Sequence, residues 1–124
     1  MCINVHIYMD VSEMTPDEAL TELEAALESD FLRALGEPAR VKVMRILIAQ
    51  GASDVSEIAE QLPQERSVIS RHLKALKDAG LVRMERKGRR RVYQLVPAAF
   101  IGRLEQILAS ARRCISVCCP EELE

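Results

Sequence analysis

The chain has 124 residues, 48% apolar and 29% charged, which suits one folded domain and excludes a disordered segment. Aromatic residues make up 3% and Trp is absent, so recognition of nucleic acid by stacked bases is excluded and any such role rests on charge and helix geometry. The net charge of −2 hides a segregation, with nine acids and one base in residues 1–37 but ten bases and three acids in residues 64–95, the footprint of a phosphate-binding face on an acidic chain.

In chain order, Ile3, Val5, Ile7 and Met9 alternate with Asn4, His6 and Tyr8, the period of a short strand or an extended arm. Thr15-Pro16-Asp17-Glu18 starts a helix: Thr15 caps, Pro16 suits the first helical position, and Glu18 reaches back to the cap. Leu20, Leu23, Leu27, Phe31, Leu32 and Leu35 then continue as one helix to Gly36. Pro38 opens a second, with Val41, Met44, Leu47 and Ile48 on one face and Gly51 after it. Ser56 caps a short third helix holding Ile58, Ala59 and Leu62, which Pro63 breaks. A fourth runs from about Glu65 to Ala79, with Ile69, Leu73 and Leu76 as its buried stripe and Gly80 as its stop. Two β runs follow around Gly88, one over 81–86 and one over 91–95. Pro97 opens a last helix, with Ile101, Leu104, Leu108, Ala111 and Ile115 at helical spacing, which Pro120 ends.

This order predicts a mainly α fold with a β-hairpin wing, a winged helix-turn-helix, with no internal repeat. Residues 1–14 read as an arm, 15–119 as the DNA-binding and dimerisation domain, and 120–124 as a tail. No run approaches the ~18 apolar residues of a membrane span. The first ten residues lack a signal-peptide layout, so the expectation is a cytoplasmic protein with no membrane partner.

A helix-turn-helix needs a second helix whose exposed face reaches base edges. With Ile69, Leu73 and Leu76 inward, the fourth helix leaves Arg66, Ser67, Ser70, Arg71 and Lys74 on its outer faces, short hydroxyls and long bases suited to bases and phosphates. The hairpin adds Arg83, Arg86, Lys87, Arg89, Arg90 and Arg91, a basic wing for a backbone or a minor groove. A charge run is most often a solvated face. Here the bases are almost unopposed and fall on consecutive parts of a helix-turn-helix, which favours double-stranded DNA.

The runs LGEPARVKVMRIL (35–47) and SVISRHLKALKDAGLVRMERKGRRRVYQL (67–95) resemble the ArsR family of metal-responsive winged-helix repressors over about residues 31–96. The resemblance implies a homodimer paired through the first and last helices, bound to an operator without inducer and released by it. Ser67, Ser70, Arg71 and His72 match the family's recognition-helix positions. Residues 53–57 (Ser-Asp-Val-Ser-Glu) stand where many members carry a Glu-Leu-Cys-Val-Cys metal motif, and the last helix lacks the His of the other common site. Gln64 and Glu65 replace an apolar residue and a Ser cap, and Glu65 repels a nearby phosphate.

Cys114, Cys118 and Cys119 lie within six residues. Four residues apart, Cys114 and Cys118 share a helix face. Cys119 precedes Pro120, which pushes it out of helical geometry and toward the other two. Arg112 and Arg113 favour thiolates. Three thiolates with no His or carboxylate beside them suit a soft ion. Trivalent arsenic or antimony follows from the family resemblance, with Cd(II), Zn(II) or Cu(I) as alternatives. Cys2 is a further ligand where the arm folds over the partner's last helix. A buried Cys114 packed as a small apolar residue, or a thiol redox sensor, are the competing readings. From other classes, a cysteine-based reductase or a metal-buffering protein competes. No Cys-x-x-Cys opens a helix and no Gly-rich phosphate loop is present, so an enzyme is not expected.

Overall fold

The structure, a computed structural model, describes residues 13–119 and 121. The alternating arm with Cys2 and His6, and the stop at Pro120, lie outside the described residues. The elements are α1 (Pro16–Leu27), α2 (Asp30–Leu35), α3 (Pro38–Gln50), β1 (Ser53–Asp54), α4 (Val55–Ala59), α5 (Arg66–Asp78), β2 (Val82–Lys87), β3 (Arg90–Leu95) and α6 (Pro97–Cys118). They form two compact units, one of residues Asp30–Ile101 and one of the chain up to Ser29 together with the chain from Gly102. Among the described residues no helix is long and apolar enough to cross a membrane.

The larger unit is a winged helix-turn-helix. Its innermost side chains are Phe31, Val43, Ile58, Ile69, Leu73, Leu76 and Leu81. The rings of Phe31 and Phe100 add a tilted pair with centroids 6.2 Å apart. Helix α5 ends in a Schellman motif: Leu81 N–H donates to Leu76 O at 3.0 Å and Gly80 N–H to Lys77 O at 2.9 Å, with Gly80 at φ 81°. That turn sends the chain into β2. Lys87 pairs with Arg90 across a two-residue turn. Gly88 stands at its first central position with φ 67°, while no other residue type in the described chain has positive φ, as a type II′ turn requires.

Three local expectations are corrected. The single first helix is two, because Glu28 leaves helical geometry at φ −95°, ψ 11° and Ser29-Asp30 follows, residues that favour turns and helix starts over interiors. Asp30 then accepts from Arg33 within the first turn of α2 at 2.8 Å. Asp54, not Ser56, caps α4: its carboxylate accepts from Glu57 N–H, and the Glu57 carboxylate accepts from Asp54 N–H, both at 2.8 Å. The buried face of α3 is Val43, Met44, Ile46 and Leu47, whereas Val41 and Ile48 are about half exposed, at 50% and 56%. Packing of α3 against α2, α5 and β3 sets that face.

Ser53 and Asp54 also form a short strand, pairing with Tyr93 and Val92, so the sheet runs β1-β3-β2. In the smaller unit α1 starts with the expected Thr15–Glu18 capping box. Met14, Ala19 and Cys114 form its apolar cluster, with Leu23 and Val117 packed against them. The Arg113 Nε–H donates to Glu22 Oε1 at 2.8 Å beside it.

Candidate nucleic-acid interface and thiol site

Helix α5 turns Ile69, Leu73 and Leu76 into the core and leaves Arg66, Ser67, Arg71 and Lys74 exposed, with Ser70 and His72 half-buried. Its N-cap, Glu65, makes no side-chain cap hydrogen bond. Val68 N–H donates to Glu65 O at 3.0 Å, which leaves the Arg66 and Ser67 N–H groups of this 13-residue helix for a phosphate oxygen. Lys74 is tied to Asp78 at 2.9 Å, which raises its pKa. Among the described residues Arg66 and Arg71 make no ion pair.

His72 has a partner that the sequence does not advertise. The Arg40 Nε–H of α3 donates to its Nδ1 at 3.2 Å, across 32 positions of sequence. Arg40 Nη1 also reaches Ala34 O at 3.5 Å. Burial first, then the Arg40 charge, hold the imidazole below its ordinary pKa, and Glu37 opposes them.

The wing concentrates charge against local stability. Arg86 stands directly opposite Arg91, and Lys87 opposite Arg90. Like charges facing across strands repel, and a bound phosphate would relieve that repulsion. Arg86, Lys87, Arg89 and Arg91 are exposed and make no ion pair among the described residues. Arg90 differs. Its Nε lies 2.7 Å from Asp54 Oδ2 and its Nη2 3.3 Å from Glu57 Oε1. The wing is thereby pinned to the capping box of α4, at residues the family resemblance aligned with a metal motif. The Glu57 backbone N–H, then Arg90, hold the Asp54 carboxyl below the usual carboxylate range. An Asp-x-x-Glu spacing signals the box in the sequence, but nothing there signals Arg90.

Among the cysteines, Cys114 is buried at 3% exposure, Cys118 is exposed and Cys119 is half-buried, all as free thiols. Helix α6 ends at Cys118, and Cys119 follows it outside helical geometry while its N–H still donates to Ile115 O at 2.7 Å. Cys114 and Cys118 stand one helical turn apart on α6. Among the described residues no three His, Cys, Asp or Glu side chains stand together as a metal site. The expected lowering of the Cys114 pKa is reversed: burial raises it first, then the Cys118 contact. Arg113 is engaged by Glu22. Of the apolar positions of α1 and α6 expected to face out, Leu20, Leu27, Ile101, Leu104, Leu108 and Ile115 are exposed, whereas Leu23 is packed against the Met14–Ala19–Cys114 cluster.

Comparison with known proteins gives three findings. A family model described as bacterial regulatory protein, arsR family, matches residues 37–84. The chain is 34% identical over 92 residues to an arsenical resistance operon repressor of Bacillus subtilis, a match spanning 74% of this chain and 87% of that protein. Two solved structures share the fold. One is of a possible transcriptional regulator for arsenical resistance, with 38% identity and TM-score 0.56 over 64% of this chain and 78% of that one. The other is an ArsR-like transcriptional regulator of Rhodococcus sp. RHA1, with 26% identity and TM-score 0.61 over 83% and 94%.

Proposed function

This chain belongs to the arsR family of bacterial regulatory proteins, and we propose that it works as a homodimer that leaves its operator when a thiophilic ion binds the cysteines at the end of α6. It is a DNA-binding transcriptional repressor of that family and not an enzyme. In the proposed complex α5 enters the DNA with Arg66, Ser67, Ser70, Arg71, His72 and Lys74, and the wing lies on phosphate through Arg86, Lys87, Arg89 and Arg91. Arg90 contributes by fixing the wing to α4.

The observation that carries the inducer site is the thiol pair one turn apart at Cys114 and Cys118, with Cys119 next in the chain. Thiol donors without oxygen or imidazole donors suit arsenite or antimonite before harder ions. Cys114 lies in the apolar cluster of the smaller unit, and among the described residues the three thiols do not stand together as a metal site. A three-sulfur set therefore requires the last turn of α6 to rearrange. Such a rearrangement supplies the differential affinity that release from DNA demands, because coupling between the two ligands is reciprocal. Cys2 would add a fourth sulfur from the N-terminal arm. The Cys114–Cys118 pair also favours a second reading, in which peroxide oxidises the two thiols to a disulfide and is itself reduced to water.

The test is fluorescence anisotropy of a duplex selected by the protein from a random pool, with arsenite, antimonite, Cd(II), Zn(II), Cu(I) and peroxide added in turn. Cys114→Ser, Cys118→Ser and Cys119→Ser should each keep DNA affinity and lose the arsenite response. Release of the Cys114→Ser protein at the wild-type arsenite concentration would overturn the three-thiol site. A response to peroxide alone, lost in Cys114→Ser and Cys118→Ser but kept in Cys119→Ser, would replace it with redox sensing.

A further inference from the structure

Arg40 lies outside the helix-turn-helix and the wing, yet its side chain ends on the recognition helix. Its guanidinium remains protonated at any pH at which the protein folds. The 3.2 Å contact between Arg40 Nε and His72 Nδ1 therefore runs one way only: Arg40 donates and Nδ1 accepts. A neutral imidazole whose Nδ1 accepts must carry its proton on Nε2. Solvent exposure remains on the His72 side chain, which sits between Arg71 and Leu73 on the helix that presents Ser67, Ser70 and Arg71.

We propose that Arg40 is a positioning residue for DNA reading: it holds His72 in the Nε2-protonated tautomer, so that the ring meets DNA as a hydrogen-bond donor. The inference rests on the reading of α5 as the helix that enters DNA. The acceptor is an oxygen or nitrogen of a base edge, or a phosphate oxygen. Without Arg40 the neutral ring divides between two tautomers, and only one donates from Nε2. The charged groups acting on the ring are Arg40 and Glu37 from the start of α3 and Arg71 from α5 itself. Burial and the two arginines all favour the neutral form, in which the choice of tautomer matters.

Only two histidines occur in the chain, so His6→Ala leaves one imidazole to observe. Nitrogen-15 NMR of that protein should show a protonated Nε2 and a bare, hydrogen-bonded Nδ1. In Arg40→Met, checked for folding by its melting transition, the two nitrogens should move toward averaged shifts and the ring should titrate at higher pH. Arg40→Lys, which keeps a donor, should restore much of the wild-type pattern. A wild-type spectrum with the proton on Nδ1 would overturn the assignment without any variant.

DNA binding supplies the second readout. At pH 8 Arg40→Met should bind the selected duplex up to about 2-fold more weakly, because its neutral ring is in the donating tautomer for only part of the time. At pH 6 the deficit should shrink, because the protonated ring donates from Nε2 without help. His72→Leu, which deletes the donor, should lose about 3- to 10-fold at both pH values, the worth of one hydrogen bond, and His72→Gln, whose amide can donate, should lose less. A loss confined to certain base pairs identifies a base-edge acceptor, and an even loss across sequences identifies phosphate. Unchanged affinity in His72→Leu, with a wild-type protein that still selects a duplex, overturns the donor role alone. Failure of the wild type to select any duplex overturns the DNA reading with it.

Discussion

At the scale of single residues, burial separates side chains that look equivalent in the sequence. Cys114, Cys118 and Cys119 form one cluster on paper, yet the first is sealed among Met14, Ala19, Leu23 and Val117 and has a raised pKa. The thiolate is the reactive form, so iodoacetamide at pH 8 should modify Cys118 first, Cys119 next and Cys114 last, as followed by mass spectrometry of digests. Early modification of Cys114 would contradict its place in the cluster. His72 gives a pH signature of a different kind. Its folded pKa lies below the ordinary value of 6.5. Between the two values the unfolded chain binds more protons, so stability rises with pH in that window. The contribution is complete above about pH 6.5 and is lost as pH falls through the folded pKa. Urea midpoints measured from pH 7.5 down to pH 5 should show this fall, and His72→Gln should flatten it. The loss tied to Asp54 comes separately, below its ordinary 3.8, as its carboxylate takes a proton.

At the scale of elements, the division of labour within the wing follows from geometry rather than charge. Arg89 and Arg90 are adjacent and identical in type, and the sequence reading put both on DNA. The structure turns Arg90 back onto Asp54 and Glu57. Arg90→Gln should lower the melting temperature while changing DNA affinity little, whereas Arg89→Gln should do the reverse. Calorimetry and anisotropy on the two variants separate the roles, and equal effects on DNA would return Arg90 to the phosphate face. The same contrast marks what periodicity can reveal. The α5 stripe, the Thr15 box, the hairpin turn at Gly88 and the exposed apolar positions of α1 and α6 were legible because their signals are local and repeat at helix or strand period. The break after Glu28 was hidden because apolar spacing ran straight through it. Strand β1 has two residues, too few for any period, and exists because Tyr93 and Val92 offer it an edge. The buried face of α3 is set by three neighbouring elements, and the Arg40–His72 contact joins positions that no local pattern links.

At the scale of the whole molecule, the unpaired cations of α5 and the wing lie in the larger unit, which also exposes Val41, Ile48 and Ile101, while the smaller unit exposes Leu20, Leu27, Leu104, Leu108 and Ile115. Apolar side chains this exposed on a short chain fit a two-fold pairing of α1 and α6 between copies, in which every DNA contact occurs twice. That repetition can be read from salt dependence. Each phosphate neutralised by a side chain adds about 0.9 to the slope of log affinity against log salt, through the counterions it releases. Arg89→Gln removes one such contact per protomer. In a dimer the slope should therefore become shallower by about 1.8, twice the value for a lone protomer. Leu108→Glu, placed on the exposed face of α6, should split the pair by burying a charge without a partner. In that background the loss on removing Arg89 should fall to about 0.9. Sedimentation should show the Leu108→Glu protein as a monomer with an unchanged helical signal. A slope change near 0.9 for Arg89→Gln alone would mean that one protomer binds each site, and the pairing of α1 with α6 would have to be abandoned.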